Sequence, residues 1–207
     1  MSVALLEYFK AKKLLDKYGI KSIDSKYASS AADAAKFAKE SKIVLKLISD
    51  KALHKSKAGL VKVNLSGANE ITAAYSDLAA KGKKLAPYRI IAQKMASGGV
   101  EIIIGGRTDP QFGKLILLGL GGIYVEVFKD FALRVCPITK ADAQDMIDQL
   151  KSRNVITYNG KSTKTLTALL LSVSEMLSQN KDIEELDLNP IIIREDGYDA
   201  VDIRVLE

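Results

Sequence analysis

Strands and helices alternate irregularly along this 207-residue chain, which predicts an α+β fold built as two lobes. Three observations carry that prediction. Short β-type runs are interrupted by helices without the regular βαβ rhythm of a doubly wound sheet. The segment Ala96-Ser97-Gly98-Gly99 follows a strand and forms the natural junction. It gives an N-terminal helix and first lobe over 1–95 and a second lobe over 96–207. Finally, 47% of the residues are hydrophobic, only four are proline, and no low-complexity run interrupts them, so a buried core is available.

The elements follow in order. Residues 1–18 read as an opening helix ended by Gly19. A second helix starts after Ser30 as N-cap, with Asp33 in a capping-box-like position, and runs to about Glu40. Strands are expected at 43–48 and 60–65, then a helix at 68–81 and a strand at 88–95. The second lobe opens with strands at 100–107 and 114–118, a glycine turn at 119–122, and strands at 123–127 and 131–137. A helix over 140–150 precedes a clearer one, in which Leu166, Leu169, Leu170, Val173, Met176 and Leu177 repeat at helical spacing. Strands at 185–193 and 198–206 close the chain, joined by the hairpin signal Arg194-Glu195-Asp196-Gly197.

Composition narrows the function classes. The net charge of +6 permits nucleic-acid binding, but the basic residues are dispersed and no nucleic-acid module is present. A single cysteine, Cys136, excludes an internal disulfide and a cysteine-rich metal cage. The first 18 residues carry six charged side chains and lack a signal-peptide core, and no later run reaches membrane-spanning length. A soluble, cytoplasmic protein is expected.

Five groups of residues point toward phosphate chemistry, each with a plainer alternative. His54, the only histidine, stands among Lys55, Ser56, Lys57 and Gly59, which suit an anionic phosphate. The alternative is a chance surface histidine. Lys46 lies mid-strand among apolar neighbours, where an ammonium needs a negative partner such as a phosphate; an edge-strand lysine that blocks aggregation reads the same way. Gly119-Leu120-Gly121-Gly122 follows an apolar strand, and its amides can approach an anion closely. It is not a dinucleotide fingerprint, because Tyr124 stands where a third glycine belongs, and a tight turn without ligand has the same composition. Glu126 and Arg134 follow it, a carboxylate and a guanidinium suited to the same site.

The fourth group is the last hairpin. Strand alternation puts Asp187 and Asn189 on one face and groups Asp202 with Arg204. A two-residue turn at Asp196-Gly197 sets Asn189 opposite Arg204 and diagonal to Asp202. Oxygen donors from neighbouring strands suit Mg²⁺, with phosphates and water completing its shell; a solvated polar face is the alternative. The fifth group is Gln93-Lys94-Met95, a strand end able to offer backbone groups to a flat base, with Glu101 placed for a ribose hydroxyl. A flexible linker alone has the same appearance.

Taken together and in this order, these pieces resemble the ATP-grasp (β) subunit of the NDP-forming acyl-CoA synthetases, the family of ADP-forming acetate–CoA ligase. The resemblance spans nearly the whole chain, from Glu7–Ile20 through Val44-Leu45-Lys46 and Leu53-His54-Lys55-Ser56. Its most specific stretch is 101–126, especially Asp109-Pro110-Gln111-Phe112-Gly113 and Gly119-Leu120-Gly121-Gly122. Glu185-Leu186-Asp187-Leu188-Asn189-Pro190 and Val201-Asp202-Ile203-Arg204 close it. The resemblance implies an ATP-grasp fold with ATP or ADP held in a cleft between the lobes. It implies Lys46 on phosphate, Gln93, Lys94 and Met95 along the adenine pocket, and Asn189 and Asp202 on Mg²⁺; Glu126, read from its place after the glycine cluster, is a further candidate oxygen donor to the metal. Glu101, Gly121, Gly122 and Arg134 complete the expected nucleotide site.

The resemblance further implies that His54 carries phosphate between the nucleotide and a phosphohistidine on a CoA-binding α subunit, in an α2β2 heterotetramer. The overall reaction interconverts acyl-CoA, ADP and phosphate with free acid, CoA and ATP. The chain departs from the family pattern at Ser49-Asp50-Lys51, at Lys57 and Gly59-Leu60, and at Lys94, where an acidic residue is common. Two other functions fit parts of this pattern. One is a catalytically weak ATP-binding regulatory or structural module, as in acetyltransferase fusions. The other is a ligase that passes through an acyl-phosphate.

Overall fold

The computed structural model describes residues 4–49, 51, 59–122 and 130–207. The chain separates into two units, one of residues 23–97 and one of residues 1–22 together with 98–207.

The 23–97 unit is a four-stranded antiparallel sheet, in the order β1-β4-β2-β3, with helices against one face. Its strands are β1 (Ser25–Tyr27), β2 (Ile43–Ile48), β3 (Val61–Leu65) and β4 (Arg89–Lys94); its helices are α2 (Ala31–Ala38) and α3 (Gly67–Gly82). Ser30 starts α2 by accepting the Asp33 N–H, while the Asp33 carboxylate turns back to the Ser29 N–H and to Lys26. Lys26, with the N–H and hydroxyl of Ser29, holds the Asp33 carboxyl down at about 2. Alternation along β2 sends Ile43, Leu45 and Leu47 to the helices, where Ala34, Ala38, Ile71 and Leu78 close the core. Val44 and Lys46 take the other face.

The second unit is a six-stranded antiparallel sheet in the order β10-β8-β5-β6-β7, with β9 also paired to β8. Its strands are β5 (Val100–Asp109), β6 (Gly113–Leu120), β7 (Phe131–Val135), β8 (Glu185–Arg194), β9 (Gly197–Ala200) and β10 (Arg204–Leu206). Helices α4 (Lys140–Gln149), α5 (Arg153–Ile156) and α6 (Thr163–Gln179) follow β7. Thr139 and Asp142 form a complete capping box at the start of α4. The helical stripe foreseen in α6 is fully buried, and each such side chain is worth about 1.5–3 kcal/mol. It lies close on the sheet: a Cβ at Gly106 would come within 2.7 Å of Leu177.

Three expectations change here. Helix α1 (Tyr8–Lys17) belongs to the second unit, not to a lobe spanning 1–95. Leu5 bridges Leu206, the Leu6 N–H donates to the Val205 carbonyl at 2.9 Å, and Ser22 bridges Ala200. These are pairings between the two ends of the chain, which local patterns do not reveal. The expected turn at 119–122 starts later, because β6 runs through Gly119 and Leu120, paired to Ile103 and Ile102. The last strand breaks at 201–203 into β9 and β10. Asp109-Pro110-Gln111-Phe112-Gly113 is the β5–β6 hairpin turn, in which the Asp109 carboxylate accepts the N–H groups of Gln111 and Phe112.

Candidate functional site

The final strands assemble an oxygen-donor cluster. Ile191 pairs Ala200 across β8–β9, and Asp187 pairs Arg204 across β8–β10. Both pairings belong to one register, so the break at 201–203 adds no residue and Asn189 stands level with Asp202. The Val201 N–H, bonded to the Pro190 carbonyl at 3.0 Å, supports that alignment. This corrects the expected pairing of Asn189 with Arg204. The turn residues are Glu195 and Asp196, one earlier than expected, and each one-residue move of a hairpin turn shifts the register by two. The correction brings the two expected metal ligands closer together.

Asp187, singled out by the structure, joins them on the same strand face. Its Oδ1 is buried without a hydrogen-bond partner. Burial pushes its carboxyl above the usual range and the Asp202 carboxylate pushes it further, while Arg204 pulls it down. Two carboxylates and an amide oxygen, one carboxylate unsatisfied, are the donor set that a hard divalent cation completes, and Mg²⁺ takes one or two carboxylates alongside phosphate oxygens. Among the described residues no group of three or more His, Cys, Asp or Glu forms a metal cage, as zinc requires. The alternation that placed Asp187 beside Asn189 was the available signal.

The glycine cluster meets Glu101. The Gly121 N–H donates to the Glu101 carbonyl at 2.7 Å, and a Cβ at Gly121 would lie 2.8 Å from the Glu101 carbonyl carbon. Gly122 has a φ of +71°, and a Cβ there would lie 2.8 Å from Glu101 Oε2. Glycines are therefore required at both positions, and Glu101, Gly121 and Gly122 form one constellation. Arg134 does not join it. It lies opposite the buried Ile116 on the helix-covered side of the sheet and bonds the Leu133 carbonyl and Gln149 of α4. Glu126 and His54 lie outside the described residues.

In the 23–97 unit, Lys46 and Gln93 share the sheet face opposite α2 and α3, and both are buried, Lys46 to 5% exposure. Lys94 points the other way. Its Nζ donates to the carbonyls of Phe37 and Ala38, each at 3.0 Å, and rests over the Phe37 ring. The ammonium closes the C-terminus of α2, which favours a cation, so its side chain is not offered to a nucleotide. Met95 is exposed, with its N–H bonded to the Lys42 carbonyl.

Two antiparallel α+β units in one chain, the larger bearing a paired-carboxylate cluster, define an α+β protein with a candidate cation site. The chain belongs to the ATP-grasp domain family, whose sequence profile matches residues 2–206. It is 36% identical to the ADP-forming acetate–CoA ligase I subunit beta of Pyrococcus furiosus, over 95% of this chain and 89% of that one. It is 35% identical to the ADP-forming 4-hydroxybutyrate–CoA ligase of Nitrosopumilus maritimus, over 93% of this chain but only 29% of that longer protein. Among solved structures it is similar to the dinucleotide-forming acetyl-coenzyme A synthetase 1 of Candidatus Korarchaeum cryptofilum in complex with coenzyme A and Ca-AMPCP. The TM-score is 0.88 at 34% identity, covering 99% of this chain and 93% of the other. Another structure of that synthetase, with Mg-AMPPCP and its phosphohistidine segment pointing towards the nucleotide binding site, gives a TM-score of 0.82 at 33% identity over 98% and 92%. No helix among the described residues is long and apolar enough to cross a membrane.

Proposed function

We propose that this chain is the nucleotide-binding subunit of a cytoplasmic ADP-forming acyl-CoA synthetase of the acetate–CoA ligase type. In this reading it passes a phosphoryl group between ADP and a phosphohistidine on a CoA-binding partner, in an α2β2 assembly. The observation that carries it is the Asp187, Asn189 and Asp202 cluster, with the buried Asp187 Oδ1 left without a hydrogen bond, in a chain 36% identical to a ligase subunit beta.

Asp202 and Asn189, with Asp187 beside them, hold Mg²⁺. When bound, the ion neutralises the phosphate oxygens, the main electrostatic task of phosphoryl transfer. Lys46 adds a positive charge from a buried strand, where its attraction for phosphate is weakly screened. The Gly121 N–H is held by the Glu101 carbonyl, so the Gly122 amide is the one that approaches the phosphates, and the Glu101 carboxylate accepts from the ribose. Gln93 and Met95 line the adenine pocket through the strand end, without the Lys94 side chain.

In the direction of ATP synthesis, a neutral ring nitrogen of His54 attacks phosphorus as the bond to the partner's imidazole breaks. A terminal oxygen of ADP then attacks, the bond to His54 breaks, and ATP and the free imidazole result.

The test is to incubate the chain with its phosphorylatable partner, Mg²⁺ and γ-labelled ATP, then map the label under alkaline conditions. Label on His54, its loss in His54→Ala, and at least tenfold weaker Mg-nucleotide binding in Asp202→Ala are expected. Nucleotide binding with no label on either polypeptide overturns catalysis and favours the regulatory module.

A further inference from the structure

The six-stranded sheet leaves a row of large apolar side chains uncovered. On β7, Phe131, Leu133 and Val135 are 52%, 44% and 48% exposed, while Ala132 between them is buried. All three lie on the sheet face opposite α4 and α6, since the alternate residue Arg134 reaches α4. Such a row on one strand is an interaction surface rather than scattered exposure. The row is continuous with a trough of about 590 Å³ on the same face, of which Leu133 is a wall. Ile103, Leu115 and Leu117 supply its apolar floor, and Asp187 stands in its lining.

Resting on the function proposed above, we infer that this row and trough dock the CoA-binding, phosphohistidine-bearing partner, through an apolar segment that also carries a basic residue. Three features favour this occupant. The surface runs without interruption to Asp187, where a phosphoryl group must arrive. The trough lining carries Glu184, Glu185 and Asp187 against Arg107 alone, an acidic rim in a chain of net charge +6. Arg204, 3.5 Å from Glu185, and Lys114, bonded to Thr108 and attracted to Glu184, stand outside that lining. A second copy of this chain, docked by the same face about a two-fold axis, would set two acidic rims against each other and close both carboxylate sites. The partner engages side chains rather than adding a strand, because the Arg134 guanidinium takes the Leu133 carbonyl at 2.8 Å on the outer edge of β7.

The longer relatives, of which this chain matches about a third or less, identify the partner to use: the polypeptide of the same genome that matches their remaining portion. Its affinity for the wild-type chain, for Phe131→Ser/Val135→Ser and for Glu184→Lys is measured by calorimetry, with sedimentation of each chain alone. Both variants are expected to bind the partner at least tenfold more weakly. Mg-ADP affinity and melting temperature should not change, because the altered side chains are exposed. In phosphoryl transfer the KM for the partner should rise while kcat recovers at saturation. Unchanged partner affinity overturns the inference. A wild-type dimer that the double variant dissolves also overturns it and assigns the face to a second copy. A variant-sensitive complex that exchanges no phosphate supports the surface while overturning the functional reading.

Discussion

Asp187 holds its proton more tightly in the folded chain than in the unfolded one, through burial and the nearby Asp202 carboxylate. A raised carboxyl favours folding most when protonated, so its contribution is lost as pH rises from 3.8 through the raised value. Asp187→Asn removes this penalty. Without Mg²⁺ at pH 7, the variant is therefore expected to melt above the wild type, with the difference vanishing in acid. Saturating Mg-ADP should reverse the order, since ligand at a hundred times Kd adds about 2.7 kcal/mol to a chain that binds it. Melting curves at several pH values, with and without Mg-ADP, check this; a variant that melts lower in both conditions would show Asp187 to be structural. Alternation made Asp187 readable as a neighbour of Asn189. Its importance was not readable, because that rests on an empty hydrogen-bond position and on Asp202 arriving from another strand.

Strands, helices and the first cap were largely legible, since they depend on neighbours within a few residues: Ser30 and Asp33 and the buried stripe of α6 occupy their expected places. What failed was long-range. Lys94 finds carbonyls 56 and 57 residues away at the end of α2, which no strand pattern announces. The last hairpin was recognised, but its turn falls on Glu195 and Asp196, and the one-residue error altered every cross-strand pair. The glycine cluster was recognised too, though its first glycine belongs to β6. Gly121 makes the sharpest test of this element. An alanine Cβ there meets the Glu101 backbone, which cannot rotate away, and the 2.7 Å bond from Gly121 to Glu101 must lengthen. Gly121→Ala is expected to cost about 1–3 kcal/mol, as overpacking does, and to weaken Mg-nucleotide binding. Gly197→Ala, with nothing within 4 Å, should be near neutral in both. Equal effects in denaturant titrations would show that backbone approach is not the reason for glycine at 121.

At the scale of the molecule, the expected boundary near residue 96 follows the chain, whereas the fold closes its second unit with residues from both ends. Ala4 and Glu207 exchange both backbone hydrogen bonds, at 2.6 and 2.9 Å, and Leu6 bonds Val205. Strand β10 has only three residues, so this N-terminal pairing supplies one of its two flanks, and β8 supplies the other. The pairing therefore reaches the candidate site, because β10 fixes Arg204 against Asp187 and anchors the segment that carries Asp202. Deleting residues 2–6 should raise hydrogen exchange at Val205 and Leu186 and weaken Mg-nucleotide binding several-fold. Exchange in β2 and β4 should stay unchanged, because the hydrogen bonds of those strands are made within the 23–97 unit. Faster exchange spread equally over β2, β4 and β10 would mean that the chain opens as one cooperative body, and the N-terminal segment would then be a global brace rather than a local support for the carboxylate site.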